Sequence, residues 1–206
     1  MQMKLRVQIK VIGFFLIVFA LYFFIRKKEI ISMNEIDKNK IEDFDIILSK
    51  GQSVQSKLIS LLKLTTVDYS HIGILIKEND NDNVFVLHST PDGAETNGIR
   101  YDDLQTFIDL SDVSDFTVLR YQDISSEFNQ KLRKEFSRYK TIQAPFDFDF
   151  DNFENKKIYC SELVWLIYEK AGLFKAKEFN LTKPIYPKYF LKMNKLMKVN
   201  YKKPSP

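Results

Sequence analysis

The chain contains 206 residues, with a hydrophobic share of 45% and a formal net charge of +4. This length and composition are sufficient for one domain with a packed core and short appendages. Lysines are spread along the chain and no nucleic-acid-binding motif is present, which argues against nucleic acid as a partner. The single cysteine excludes an internal disulfide and a cysteine-rich zinc site.

Residues 1–28 contain an apolar run that predicts a membrane anchor. The uncharged part extends from Val11 to Ile25, and three basic residues lie on each side of it. Counted from Val7, the run has 19 residues, which is about 28 Å as a helix and close to the roughly 30 Å of a hydrocarbon core. No small-x-small cleavage site follows, so we predict an uncleaved signal anchor over residues 7–25, with a cleaved signal peptide as the alternative. The N-terminal amine tips the expected orientation towards a domain outside the cytoplasm, either anchored or, after cleavage, secreted.

The rest of the chain divides into a linker, one domain and a tail. Residues 29–40 are polar and charged, which is typical of a juxtamembrane linker. We expect the globular domain to cover residues 41–200 and residues 201–206 to form a flexible tail. A lysine-rich C-terminal helix is expected after Pro187.

Two β-rich runs, residues 71–76 and 84–88, are joined by a polar loop and predict a hairpin. The register of this hairpin decides where the histidines lie. If Ile76 pairs with Asn83, His71 lies directly opposite His88, with about 5 Å between their Cβ atoms. A slip by one residue places the two imidazoles on opposite faces of the sheet.

Other segments alternate between strand and helix signals. A first strand is predicted at Phe44–Leu48, and Ser53 can cap a helix that follows it. Downstream, the pattern predicts a helical turn, a strand, a long helix and a helix at the cysteine. These segments are residues 100–109, residues 116–121, the residues after Ser126 and the residues after Cys160.

Cys160 is the candidate nucleophile. Apolar residues recur at helical spacing downstream of it and Gly172 sits where a helix C′ residue belongs, so Cys160 is expected at a helix N-terminus. The unpaired N–H groups and the dipole there favour a thiolate, although a lone buried cysteine is often only a small hydrophobe. Thiol catalysis also requires a base and a group that fixes the tautomer of that base. His71 and His88 are the only histidines and can supply both.

Competing chemistries have weaker support in the sequence. Two histidines with Asp92 and Glu95 lack an HExxH-type spacing. Residues 147–152 have the acidic spacing of a calcium loop but fail the EF-hand test at its glycine and glutamate positions. The chain has no G-x-S-x-G elbow and no glycine-rich phosphate loop. We therefore predict neither a metal site nor a cofactor.

Four ordered motifs together resemble a known family. They are Phe44-Asp45-Ile46-Ile47-Leu48, Ser70-His71-Ile72-Gly73-Ile74, Val86-Leu87-His88-Ser89 and Tyr159-Cys160-Ser161-Glu162-Leu163-Val164. Over residues 41–187, the set is similar to the permuted papain-like cysteine amidases (YiiX/YaeF-like), the circularly permuted branch of the NlpC-type cell-wall peptidases. The histidines precede the cysteine, as the permuted branch has them. One departure is Phe44, where the family usually has a glycine, so the first strand is expected to start differently here.

The resemblance implies an α+β fold with a small antiparallel sheet or partial barrel packed against helices. It also implies roles for three side chains: Cys160 as nucleophile, His71 as general base and His88 as the group that orients the base. The backbone N–H groups near Cys160 and Ser161 would then be the oxyanion donors for a thioester route.

The implied substrate is an amide in a cell-wall peptide or an acyl amide, and a lipid would suit the membrane anchor. Gln52, Ser53 and Tyr159 are candidate substrate contacts, although Gln52 and Ser53 also suit a helix start at the surface. One alternative is a lipid acyltransferase or phospholipase of the lecithin–retinol acyltransferase type, which shares the permuted layout. The other is a non-catalytic binding module on the same scaffold.

Overall fold

The protein is represented by a computed structural model. It describes residues 33–51, 69–78, 83–91, 98–110, 113–151 and 156–202. The helix predicted after Ser53 and the candidate contacts Gln52 and Ser53 lie outside these ranges. Within them, no helix combines the length and the apolar character that crossing a bilayer would require. The predicted anchor, in residues 1–28, also lies outside the described ranges.

The described chain forms six strands and four α-helices, with three short 3-10 helices. The strands are β1 (Ile46–Gly51), β2 (His71–Glu78), β3 (Asn83–Thr90), β4 (Gly98–Asp103), β5 (Val113–Tyr121) and β6 (Leu196–Val199). The α-helices are α1 (Leu104–Leu110), α2 (Ser126–Thr141), α3 (Cys160–Lys170) and α4 (Pro187–Phe190). The 3-10 helices are Met33–Glu35, Lys38–Lys40 and Ala176–Glu178.

All six strands form one antiparallel sheet in the order β4-β3-β2-β1-β5-β6. Because side chains alternate along a strand, each strand contributes to both faces of this sheet. One face carries Ile46, Ile72 and Ile74 and packs in a single cluster with α2 and α3. The other face carries Ile47 and Leu75 and packs with α1. The mixed architecture of helices on an antiparallel sheet agrees with the predicted fold class.

The hairpin between β2 and β3 is present, but the predicted register was wrong. Gly73 pairs with His88, and Ile76 pairs with Phe85 rather than with Asn83. The error is two residues, and a shift by an even number keeps every side chain on its expected face. His71 and His88 are therefore diagonal neighbours on one face instead of directly opposed.

The first strand begins at Ile46, two residues later than predicted, because Phe44 forms a turn. Phe44 has a φ of 68°, in the left-handed region that favours glycine. A side chain there costs about 1–2 kcal/mol in backbone strain. The Phe44 N–H donates to the Leu75 carbonyl at 2.8 Å, and its ring meets Phe136 of α2 edge-to-face at 6.0 Å. Packing thus holds a turn of the kind that favours glycine.

Two helix predictions need correction, and two are confirmed, at α2 and α3. Residues 100–103, expected in a helical turn, continue β4, and α1 starts only at Leu104. The lysine-rich C-terminal helix is wrong, because α4 has four residues and the chain then forms β6 against β5. At α3 the prediction holds, since Gly172 has the left-handed φ of 86° expected of a C′ glycine.

Parts of the expected linker and tail pack onto the domain. Ile36 and Tyr201 are 2% and 5% exposed, and Ile36 forms a β-bridge with Lys202. The Tyr201 ring stacks on Phe116 of β5 with 4.1 Å between ring centroids. The folded unit therefore extends beyond residues 41–200 at both ends.

Candidate functional site

Cys160 is the first residue of α3, directly after the extended N-cap residue Tyr159. Its side chain is 3% exposed, and its sulfur lies 3.8 Å from the Ser161 hydroxyl. The first turn of a helix has N–H groups that its own carbonyls cannot satisfy, so the sulfur is positioned where negative charge is favoured. The predicted helix start at the cysteine is confirmed.

Two hydrogen bonds place this helix start at one end of the sheet. The Ser89 hydroxyl of β3 donates to the Ile158 carbonyl at 2.6 Å, and the Ile158 N–H donates to the Pro145 carbonyl at 2.9 Å. Ser89 adjoins His88 in sequence, so Cys160 starts its helix near the end of the sheet that carries the histidines. Tyr159, a predicted substrate contact, is 1% exposed, and its hydroxyl accepts the Ile185 N–H. The described structure gives this tyrosine a packing role.

The two histidines form a buried, hydrogen-bonded pair. His71 Nε2 lies 2.9 Å from His88 Nδ1, and the residues are 4% and 1% exposed. Phe107 of α1 stacks on the His71 ring and meets the His88 ring edge-on. Gly73 permits the close approach of β2 and β3 here, because a Cβ atom on it would lie 2.5 Å from Val86 Cγ1. The sequence predicted this pair, though not its diagonal geometry.

A carboxylate that the sequence analysis missed extends the pair. His88 Nε2 lies 3.0 Å from Asp102 Oδ2. Arg100 contacts the same carboxylate through Nε at 2.8 Å and Nη2 at 3.1 Å. Arg100 and Asp102 lie two residues apart on β4 and share a face. Reading residues 98–103 as a strand would have placed Asp102 on the histidine face.

Burial and hydrogen bonding together set the protonation states of His71 and Asp102. Burial lowers the pKa of His71 well below its ordinary value, and a positive charge on His88 would lower that pKa further. Burial also raises the pKa of Asp102, but the hydrogen bonds from His88 and Arg100 outweigh it and hold that pKa below its ordinary value. A neutral imidazole at His71 and an ionised carboxylate at Asp102 follow at neutral pH.

Cys160 and the histidine pair approach the same end of the sheet from different layers. Cys160 and Ile72 belong to the cluster that packs α3 on the sheet. His71, next to Ile72 in β2, projects from the other face and stacks on Phe107. Any contact between the Cys160 sulfur and the His71 imidazole would therefore have to lie around the start of β2. The Cys160–His71 pairing stays a prediction.

Glu162 lies in the first turn of α3, two residues beyond the cysteine. One carboxylate oxygen accepts the Tyr159 N–H at 3.4 Å. The other oxygen is buried and has no hydrogen-bond partner among the described residues. Burial raises the pKa of Glu162 to about 8, although the bond from Tyr159 opposes the shift. Glu162 is therefore largely protonated at neutral pH.

Two further acidic residues have structural roles. Asp45 is fully buried and receives a two-pronged contact from Arg120, with both distances at 2.8 Å. Asp147 accepts the N–H groups of Asp149 and Asp151, both at 2.9 Å, and so folds residues 147–151. Neither carboxylate contacts the histidine pair in these bonds.

Comparison with known proteins gives consistent matches. A family profile described as "Permuted papain-like amidase enzyme, YaeF/YiiX, C92 family" matches residues 40–202. The uncharacterized protein YiiX of Escherichia coli (strain K12) is 34% identical over 147 residues, which is 68% of this chain and 66% of that protein. The match thus spans just under two thirds of the relative's own length.

A solved structure extends the likeness to three dimensions. The crystal structure of YiiX from Escherichia coli O157:H7 aligns with a TM-score of 0.60 at 28% identity, covering 80% of this chain and 99% of that one. That protein is described as a metalloprotein. In the described ranges of the present chain, no group of three or more His, Cys, Asp or Glu residues is arranged to hold a metal ion. The family profile covers most of the chain and the same domain recurs in the solved relative, so the chain belongs to the permuted papain-like amidase family.

Proposed function

We propose that this chain is a thiol hydrolase that cleaves an amide bond, with Cys160 as nucleophile, His71 as general base and His88 as orienting group. The observation that carries the proposal is the buried 2.9 Å contact between the two imidazoles. It lies at the end of the sheet near which the only cysteine begins α3. Membership of an amidase family supports amide hydrolysis at the level of reaction class.

The local electrostatics suit each role. A thiol needs a base that is neutral before the reaction, and the lowered pKa of His71 keeps its imidazole neutral. The helix start stabilises the thiolate that forms when Cys160 loses its proton. The N–H groups at Cys160 and Ser161 are the proposed oxyanion donors, because they belong to the unsatisfied first turn of α3.

Acylation would replace the C–N bond of the substrate by a C–S bond, with one proton transfer before the exchange and one after it. His71 accepts the thiol proton, and the Cys160 sulfur attacks the carbonyl carbon and forms a C–S bond. The carbonyl π electrons move to oxygen, where the backbone N–H groups stabilise the charge. When the oxyanion collapses, the C–N bond breaks and His71 gives its proton to the departing amine. The product is a thioester on Cys160.

Deacylation reverses the roles of the same groups. His71 takes a proton from water, and the hydroxide oxygen attacks the thioester carbonyl. Collapse of the second oxyanion breaks the C–S bond, and the sulfur recovers its proton from His71. The acid product leaves and the thiol is restored, so the cycle consumes one water and needs no cofactor.

The proposed substrate is a cell-wall peptide or an acyl amide. We further propose that residues 7–25 anchor the chain in a membrane and that the catalytic domain lies outside the cytoplasm. The apolar run and its flanking charges support this location. An alkaline-phosphatase reporter fused after Lys202 would test it, because the reporter is active only outside the cytoplasm; an inactive fusion would contradict the orientation.

The decisive experiment is acyl-enzyme trapping by mass spectrometry with a panel of cell-wall peptides, acyl-amino acids and lipid esters. We expect a covalent adduct on Cys160 that hydroxylamine removes. Cys160→Ala should form no adduct and show no turnover. Ser161→Ala is the matched control, because it keeps the thiol and the backbone donors and should retain the adduct.

Two outcomes would redirect the proposal. Wild-type turnover by Cys160→Ala would exclude the thiol route altogether. Transfer of the acyl group to an added alcohol or amine, in preference to water, would replace hydrolysis by an acyltransferase activity.

A further inference from the structure

Four polar side chains form a continuous line across the sheet from β2 through β3 to β4. His71 contacts His88, His88 contacts Asp102, and Asp102 forms an ion pair with Arg100. Only the two histidines had roles predicted from the sequence. We propose that Asp102 is a positioning residue for the reaction: acting through His88, it fixes the tautomer of His71 so that Nδ1 carries the lone pair.

The assignment follows from counting donors and acceptors along the line. An ionised carboxylate can only accept hydrogen bonds, so the nitrogen that faces it, His88 Nε2, carries a proton. The proposal takes His88 as neutral, with its one N–H on Nε2, so His88 Nδ1 is an acceptor. His71 Nε2 faces that acceptor at 2.9 Å and must donate. His71 Nδ1 is then the nitrogen able to take a proton.

This tautomer of His71 requires an ionised Asp102 as well as a neutral His88, and the surroundings of Asp102 favour the ionised carboxylate. Arg100 donates from two nitrogens, at 2.8 and 3.1 Å, in the fork geometry that arginine forms with carboxylates. The pKa of Asp102 is held below its ordinary value in spite of the burial that raises it. Arg100 therefore supports the tautomer indirectly, by keeping the carboxylate charged.

Strand register fixes the line. His88 pairs with Arg100 and Gly73 pairs with His88. Asp102 and His71 are therefore the diagonal neighbours of His88 on either side, on the same face of the sheet. Phe107 covers both rings from α1. The flanking groups named here are thus one carboxylate, one guanidinium and an uncharged ring.

This inference rests on the proposed function for its catalytic meaning, but its structural core can be tested without turnover. The chain has two histidines, so the imidazole nitrogens of a ¹⁵N-labelled sample give few signals. We expect the wild-type spectrum to show His71 as a single tautomer with its proton on Nε2. A His71 that carries its proton on Nδ1 would overturn the inference.

Variants of β4 provide the second readout. Asp102→Ala removes the acceptor, so His71 should give nitrogen shifts averaged between tautomers. The turnover number should fall on the order of 10- to 100-fold, the range known for removal of a carboxylate that orients a metal-binding histidine, while KM changes little. Asp102→Asn keeps an oxygen acceptor and should lie between wild type and Asp102→Ala in both readouts.

Asp103→Asn is the matched control. Asp103 is the next residue of β4, is exposed, and bonds Thr106 at the start of α1 instead of the histidines. It should leave the imidazole spectrum and the turnover number unchanged. If Asp102→Ala does not fold, Asp102→Asn carries the test. Wild-type imidazole shifts in a folded Asp102 variant would refute the inference, whereas absent turnover in the wild type with the expected shifts would count against the proposed function only.

Discussion

Replacing Glu162 by glutamine is expected to stabilise the folded chain at neutral pH. Glu162 is 1% exposed, and one of its oxygens is buried with no hydrogen-bond partner among the described residues. Burial raises its pKa from 4.5 to about 8. The folded state therefore holds a proton that the unfolded chain releases. Glutamine mimics the protonated side chain and keeps an oxygen for the Tyr159 N–H.

The sign and the size follow from the two pKa values. The pKa of this acid is higher in the folded state, so its contribution to stability is complete below pH 4.5 and is lost as the pH rises towards 8. The loss is about 1.4 kcal/mol per pH unit, which gives a ceiling of about 5 kcal/mol over the whole window. Glu162→Gln avoids this loss. We expect the free energy of unfolding of this variant to exceed that of the wild type by about 3 kcal/mol at pH 7 and by less than about 1 kcal/mol at pH 5.

Urea unfolding at both pH values measures this difference. The fluorescence of Trp165 is a suitable probe, because it is the only tryptophan and lies buried on the same helix. Glu169→Gln, near the other end of α3, is the matched control; its partly exposed ion pair with Lys170 should contribute less than about 1 kcal/mol. A Glu162→Gln variant that is no more stable than the wild type at pH 7 would refute the reasoning.

Two further predictions concern the other buried charges. Arg120→Met should lower the free energy of unfolding by about 3–5 kcal/mol, because it leaves the fully buried Asp45 carboxylate without its cation. In urea unfolding, the double variant with Asp45→Asn should recover part of this loss. A double variant that recovers none of it would contradict the pairing of Arg120 with Asp45. Burial lowers the pKa of His71, so its imidazole stays neutral in the folded state at pH values where the unfolded chain binds a proton. Acid should therefore destabilise the fold below about pH 6.5. The slope is at most about 1.4 kcal/mol per pH unit for one proton, and His71→Asn should remove it; an unchanged slope in that variant would show that other groups cause it.

The sequence was sufficient for the histidine pair but not for its geometry. Side chains alternate along β2 and β3, so a register shift by an even number of residues keeps His71 and His88 on one face. The predicted register was wrong by two residues, and the two histidines were therefore still expected to lie together. The exact register depends on the loop that joins the strands, and polar composition alone does not specify where such a loop begins. Ile76 of β2 pairs with Phe85, which lies two residues after the expected partner, Asn83.

Tertiary packing decided the elements that the sequence analysis missed. Residues 98–103 are partly polar, and they form a strand because β3 offers a partner edge. Leu196–Val199 forms β6 for the same reason at the β5 edge, in spite of the lysine-rich pattern that suggests a helix. Asp102 was overlooked because its position beside His88 depends on the pairing of β4 with β3. Such pairings lie between residues distant in the chain, so local periodicity does not reveal them.

The β-bridge between Ile36 and Lys202 has a topological consequence. The Asp37 N–H donates to the Tyr201 carbonyl at 2.8 Å, so the first and last parts of the described fold are direct neighbours. A connector of about three to five residues could join them without disturbing the sheet. If the chain were then opened ahead of Cys160, the helix that begins with Cys160 would come first and the histidine strands later. The two chain orders would thus share one set of contacts and differ mainly in which loop is closed.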